Sequence, residues 1–330
     1  MIRFFSTGYI SRYILLILFG LIIWTPSLVF PTLYTGISSF AYNQILFLTA
    51  QNIYLLSFAS FFITLLTAFL LNKCAIDNGL SGKISTLIAL IYILLTSSLS
   101  GESHNNPVIW INFLLVFVVG NLMRLPCVNN TIPVIFNAAF LIGLASLFYS
   151  QLVFLVLLIW VSIFIHRIVT WRNLVVTLIG TILPYFLLLT LFFAMDILLE
   201  ESYVLFDSLQ IDTKIVFMSD PVEIAVSVIW LLIIIISAVG VANRLPEKNI
   251  TLRRNLIITY FYIGTVLLIL IIFTKSLVST LLFCIPTALL IGHWLSSIRK
   301  TRWYDITLSL VLILIILNQY LYLLFSLYDG

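Results

Sequence analysis

Charge is what this chain has least of. Asp, Glu, Lys and Arg make up 8% of its 330 residues, against roughly 25% in a soluble domain, whose surface must hydrate well. A fully water-facing surface is therefore excluded. Hydrophobic residues reach 62% and the mean hydropathy is +1.21. Lipid is the expected solvent for most of the chain, and there a helix satisfies its own backbone hydrogen bonds. The apolar–polar alternation of an outer-membrane barrel strand is also missing, which leaves helices.

Other absences remove whole classes of chemistry. Cys74, Cys127 and Cys284 are scattered without CxxC spacing, so neither a disulfide framework nor a zinc site is supported. No Walker loop, GxSxG, HExxH or dinucleotide fingerprint occurs, which leaves ATP-driven, serine-hydrolase, zincin and Rossmann chemistry without support. Ion-coupled transporters place acids, His or broken helices near the bilayer midplane. Here the segment interiors offer Asn112, Thr64, Thr67, Ser162, Asn137 and Pro286, so an ion-coupled transporter is a minor reading. No nucleic-acid partner is expected.

What the chain has is a succession of apolar runs close to the ~20 residues that cross ~30 Å of hydrocarbon. Eleven spans are expected, at about 12–30, 53–71, 84–100, 107–123, 133–149, 152–166, 173–195, 224–242, 255–273, 277–295 and 306–325. Breaks fall at Asn78-Gly79, Gly101, Pro107, Pro126, Pro133, Pro221 and Pro246, residues that end or start elements. Arg3 and Arg12 precede the first run as in a signal peptide, but it ends in TPSLVFP without a small-x-small site. It reads as a retained first span. The expectation is an all-α polytopic transmembrane bundle forming one integral membrane domain over 1–330.

Threading the chain from a cytoplasmic N-terminus sorts the charges. The inner ends collect Arg3, Arg12, Lys73, Lys83, Arg124, Arg167, Arg172, Arg244, Lys248, Arg253, Arg254, Arg299, Lys300 and Arg302, and the outer ends only Lys214 and Lys275. Fourteen against two is a strong positive-inside pattern. Nine of the twelve acids fall outside. Two outer segments exceed a turn. Residues 31–52 are uncharged and rich in Tyr, Asn and Gln, which suits a helix lying in the interface. Residues 196–223 hold seven acids and one lysine, too short a piece for a catalytic domain.

Candidate chemistry is sparse. In the connection from Gly101 to Pro107, Glu102 is placed to act as a base or metal ligand with His104 beside it, and the alternative is a hydrated turn in which Asn106-Pro107 starts a helix. Asp196 and Glu200 share a face if the seventh helix continues through them, and paired carboxylates bind a cation or do acid–base work. The alternative is a solvated helix end. His166-Arg167 and Trp171-Arg172 lie at the inner interface, where Trp and Arg anchor a bundle or meet lipid phosphate. Arg299, Lys300, Arg302 and Trp303 share that ambiguity, and Asp305 is placed to neutralise Arg302.

The central third carries a resemblance. Asn106-Pro107-Val108-Ile109-Trp110 leads through a span to Arg124, then to the run Ala138 to Tyr149 containing Gly143-Leu144-Ala145-Ser146-Leu147-Phe148-Tyr149, then to His166-Arg167, Trp171-Arg172, Gly180 and Pro184. With Met1 to Phe5 and Trp24-Thr25-Pro26, this resembles a family of uncharacterised multi-pass inner-membrane proteins of Bacteroidota, over about the first 200 residues. The same stretch is more distantly similar to the membrane core of GT-C glycosyltransferases, which use polyprenyl-phosphate sugars. That resemblance implies an acid in the first outer loop and outer cations meeting the lipid phosphate. Here residues 31–52 contain no Asp or Glu, and Lys214 and Lys275 are the outer cations.

Taken together these imply a bacterial inner-membrane envelope protein with a GT-C-like core, handling or scaffolding lipid-linked glycan steps with or without catalysis. The catalytic version would use Glu102, Asp196 and Glu200, and a divalent cation if active. His104, Lys214, Lys275, Arg167 and Arg172 would meet lipid phosphate or the interface. Membrane lipids, polyprenyl phosphate and membrane-protein partners are the expected contacts. A structural subunit or small-molecule transporter is the remaining alternative.

Overall fold

The computed structural model describes residues 10–32, 34, 39–49, 52–82, 85–98, 104–196, 221–273, 277–298 and 302–328. These form twelve α-helices and no strand: α1 (Ile10–Val29), α2 (Phe40–Leu48), α3 (Ile53–Asp77), α4 (Leu87–Thr96), α5 (Pro107–Arg124), α6 (Ile132–Ser146), α7 (Val156–His166), α8 (Trp171–Ala194), α9 (Pro221–Arg244), α10 (Ile250–Phe273), α11 (Cys284–Ser297) and α12 (Arg302–Tyr328). Tight 3-10 turns over Ser150–Leu155 and Leu277–Phe283 lead into α7 and α11. Among the described residues, seven helical stretches are long and apolar enough to cross a bilayer, the make-up of a multi-pass membrane protein. The expected runs at 84–100, 133–149 and 152–166 instead contain shorter apolar helices, Leu87–Thr96, Ile132–Ser146 and Ser150–His166, whereas the run at 306–325 lies within the 27-residue α12.

α4 survives at its short length because protein, not lipid, surrounds it. α4 rises only about 15 Å, and all ten of its residues are buried, as a helix apolar on every side must be. It packs between α3 and α11, and α3, α1, α12, α9 and α11 follow one another in contact as an arc, with α5 touching both α3 and α11. A helix that stops inside the bundle leaves carbonyls without partners, which hydrocarbon cannot satisfy. Amide side chains supply the missing donors. Asn72 donates to the Ser85 carbonyl (2.8 Å), Asn112 to Leu281 (3.0 Å) and Gln319 to Ser97 (3.1 Å). The His293 ring nitrogen Nδ1 meets the Leu80 carbonyl at 2.7 Å. Thr64 and Thr67 return their hydroxyls to their own helix. The polar residues expected in the span interiors are thus largely occupied by the backbone.

The run from Ala138 to Ser146 owes its composition to packing. Ile135, Ala138, Ala139, Ile142, Gly143, Ala145 and Ser146 are buried, spaced three and four apart on one face of α6. That face lies against α8 at Gly180 and Pro184. A methyl on Gly143 would lie 2.5 Å from the Thr181 carbonyl oxygen, and one on Gly180 2.8 Å from the Ala139 methyl. Small residues let two apolar helices approach where no hydrophobic force separates lipid from protein. Burial ranks the helices. Within Thr280–Ser297 72% of positions are buried, but within Trp171–Ala194 only 22%, so α11 is central and α8 lines the perimeter.

Antiparallel stacking gathers the charges. Every described Lys and Arg lies at or near the same end of the bundle: Arg12, Lys73, Arg124, Arg167, Arg172, Arg244, Lys248, Arg253, Arg254 and Arg302. Contacts tie that end together, from Arg124 to Asp77 (3.6 Å) and from Arg244 to the Ser297 carbonyl (3.3 Å), with the Arg244 guanidinium 5.0 Å above Trp294. This is called the basic end below.

Candidate functional site

One candidate site is an apolar cavity of about 670 Å³ between α9, α10 and α11. α9 and α10 touch near the basic end, where the Tyr260 hydroxyl donates to the Ala238 carbonyl (2.6 Å). Farther along, both lean on α11, and the gap between them is lined by Trp230, Ile234, Leu267, Leu270, Cys284 and Thr287. Its floor is Leu95 and Ser98, at the end of α4 away from the basic end. Thr287 spends its hydroxyl on the Phe283 carbonyl, so the wall it presents is a methyl group. Leu231, Leu267 and Ile271 on the rim are exposed on the bundle's flank, and the cavity opens sideways. Such a space takes a hydrocarbon chain and offers nothing to an ion.

Beside it, away from the basic end, lies a buried polar seat. His104 is 1% exposed and meets the edge of Trp24, ring centroids 4.4 Å apart. The Trp24 indole donates to the Ser97 hydroxyl (3.0 Å). Asn105 donates to the Thr32 carbonyl (2.7 Å) and exchanges hydrogen bonds with Ser57. The Tyr42 hydroxyl donates to the Asn105 carbonyl; burial, with Tyr34 beside it, holds that hydroxyl well above its ordinary pKa, so it serves as a donor. Asn106 caps α5 by accepting from Val108 N–H (2.8 Å), and Pro107 takes the first helical position. This stretch anchors the ends of α1, α2, α3 and α5. α2, about 14 Å long, lies in the segment 31–52, where an interfacial helix is expected, and Phe40 packs on Phe192 of α8 (4.9 Å).

At the basic end a second, polar recess of about 550 Å³ lies between α6, α7, α8 and α10. Arg172, Arg254 and His166 line it, with Asn129, Asn130 and Thr131 before α6 and Thr170 and Asn173 at the start of α8. Thr170 caps α8 by accepting from Asn173 N–H (3.3 Å).

The residues singled out from the sequence divide three ways. Glu102, Glu200, Lys214 and Lys275 lie outside the described residues. Asp196 is exposed, and α8 ends at Ala194 with Asp196 in the left-handed region at φ 59°, so the helix does not carry a shared face through Asp196. Arg167, also left-handed at φ 59°, terminates α7, exposed near the recess that Arg172 lines. His104 sits at the other end of the bundle from Arg167 and Arg172. Sequence reasoning missed Trp230 of the cavity and the meeting of Arg254 with Arg172. No spacing signals either, since the partners come from distant helices. The three cysteines are unbridged, and among the described residues no three His, Cys, Asp or Glu come together as a metal site would require. No family model, curated protein or solved structure matches the chain.

Proposed function

We propose that this multi-pass protein sits in a bacterial inner membrane, N-terminus and basic end in the cytoplasm, and holds the chain of a lipid-linked glycan intermediate. The observation that carries the reading is the apolar cavity between α9, α10 and α11, whose ~670 Å³ falls within the ~300–1,000 Å³ of small-ligand sites. Its open side faces where hydrocarbon would lie, and it sits away from the basic end, which the positive-inside rule assigns to the cytoplasm. An isoprenoid chain of polyprenyl phosphate fits those demands, and the reading includes a GT-C-like core for the central helices and an envelope role beside membrane-protein partners. Asn112 and the span threonines are committed to carbonyls, which favours this lipid role over a midplane ion path. The catalytic form of the reading uses Glu102, Asp196 and Glu200 with a divalent cation on the outer side of the membrane.

The test is purification with native lipids followed by lipid mass spectrometry. Polyprenyl phosphate or its glycosylated form should co-purify, and Ser227→Trp, which fills the cavity, should remove it while the protein still elutes as the wild type does. Ordinary phospholipid alone, unchanged by Ser227→Trp, would leave a structural subunit as the better description. If the lipid is held but Glu102→Gln leaves the glycan profile unchanged, the protein scaffolds rather than catalyses.

A further inference from the structure

We propose that the recess at the basic end binds a phosphate group, and that its occupant is the headgroup of an anionic membrane lipid. Four features converge there. Arg172 of α8 and Arg254 of α10 both line it, and among the described residues no Asp or Glu does. Two guanidinium groups around an acid-free space repel each other until an anion enters, and a guanidinium meets phosphate through paired, charge-assisted hydrogen bonds. The first residues of α6 and α8, helices of 15 and 24 residues, form two of its walls, so two positive dipole ends face the same space. His166 is 5% exposed and has the Leu122 carbonyl beside it, yet neither ring nitrogen closes a hydrogen bond of normal geometry. A buried imidazole lining an empty polar space is short of a partner.

The rim favours a lipid over free phosphate. Trp171, Val169, Ile132 and Val128 are all exposed around the opening, next to the polar residues that line it. Apolar and indole side chains beside cations match the level where acyl chains give way to headgroups. The site lies at the end away from the tail cavity's floor and stands or falls separately from it.

The experiment uses the full chain in detergent, titrated with phosphatidylglycerol, phosphatidylcholine and inorganic phosphate, bound lipid being counted by native mass spectrometry and phosphate binding read by calorimetry. Phosphatidylglycerol should bind well above phosphatidylcholine. Arg172→Gln with Arg254→Gln should weaken it by about tenfold or more, the scale of losing charge-assisted contacts. Arg253→Gln, which removes an exposed neighbouring charge, should change it by less than about threefold. Arg172 is exposed, so Arg172→Gln alone serves if the double variant fails to fold. Tight binding of inorganic phosphate that the double variant loses, with phosphatidylglycerol binding no better than phosphatidylcholine, assigns the site to a soluble phosphate and overturns the lipid source. Unchanged lipid binding in the double variant, or an equal loss in Arg253→Gln, overturns the site itself.

Discussion

Adding one methyl group at Gly143 and another at Gly264 should have opposite effects on stability, although both glycines lie inside helices. At Gly143 the new carbon would sit 2.5 Å from the Thr181 carbonyl oxygen and 2.8 Å from Pro184 Cγ. A carbon tolerates a carbonyl oxygen at about 3.3 Å, so α6 and α8 must part locally by roughly 0.8 Å. Neither a backbone carbonyl nor a proline ring can swing aside. Overpacking of this kind costs about 1–3 kcal/mol, and the gap it opens also forfeits dispersion along the interface. Against that stands the intrinsic advantage of Ala over Gly in a helix, about 1 kcal/mol. At Gly264 no atom lies within 4 Å of the added carbon, so only the helical advantage remains. The difference between Gly143→Ala and Gly264→Ala cancels that shared advantage and isolates the contact, at about 1–3 kcal/mol in favour of Gly264→Ala. Reversible unfolding in mixed micelles of increasing SDS content reads this difference directly. If the two variants agree within about 0.5 kcal/mol, the range of neutral substitutions, α6 and α8 do not meet at Gly143 as described.

Asn112→Leu should cost about 1–3 kcal/mol in the same assay, because it strands the buried Leu281 carbonyl. Asn106→Ala should cost about 1 kcal/mol by uncapping α5. Asp77→Asn should change stability by less than about 1 kcal/mol, since Asp77 and Arg124 are 43% and 58% exposed in a solvent-screened pair. Reporter fusions at Lys248 and Asp196 should land in opposite compartments, and a shared compartment would undo the threading.

Much of the candidate site was beyond sequence reading, for reasons that differ by residue. His104 beside Glu102 has the composition of a solvated loop, and only the fold places Trp24, Ser57 and Thr32 around residues 104–106. Local polarity does not report burial when the partners come from two other helices and the stretch after α1. The length of the expected spans failed similarly. The run at 84–100 is apolar enough to cross lipid, but its helix stops after ten residues because Asn72 and Gln319 satisfy the carbonyls on either side of it. By contrast, the break at Asn106-Pro107 was legible, since capping and a fixed φ are local properties.

Composition alone determined the solvent of this protein, its helical class and the pooling of its cations at one end, because hydropathy and charge spacing act along the chain. Tertiary structure decided which helices stop short, where an apolar cavity opens, and that Arg172 and Arg254 share a recess. Those outcomes depend on which distant surfaces meet. Burial, cavities and facing charges are properties of pairs of helices, and one helix's sequence does not name its neighbour.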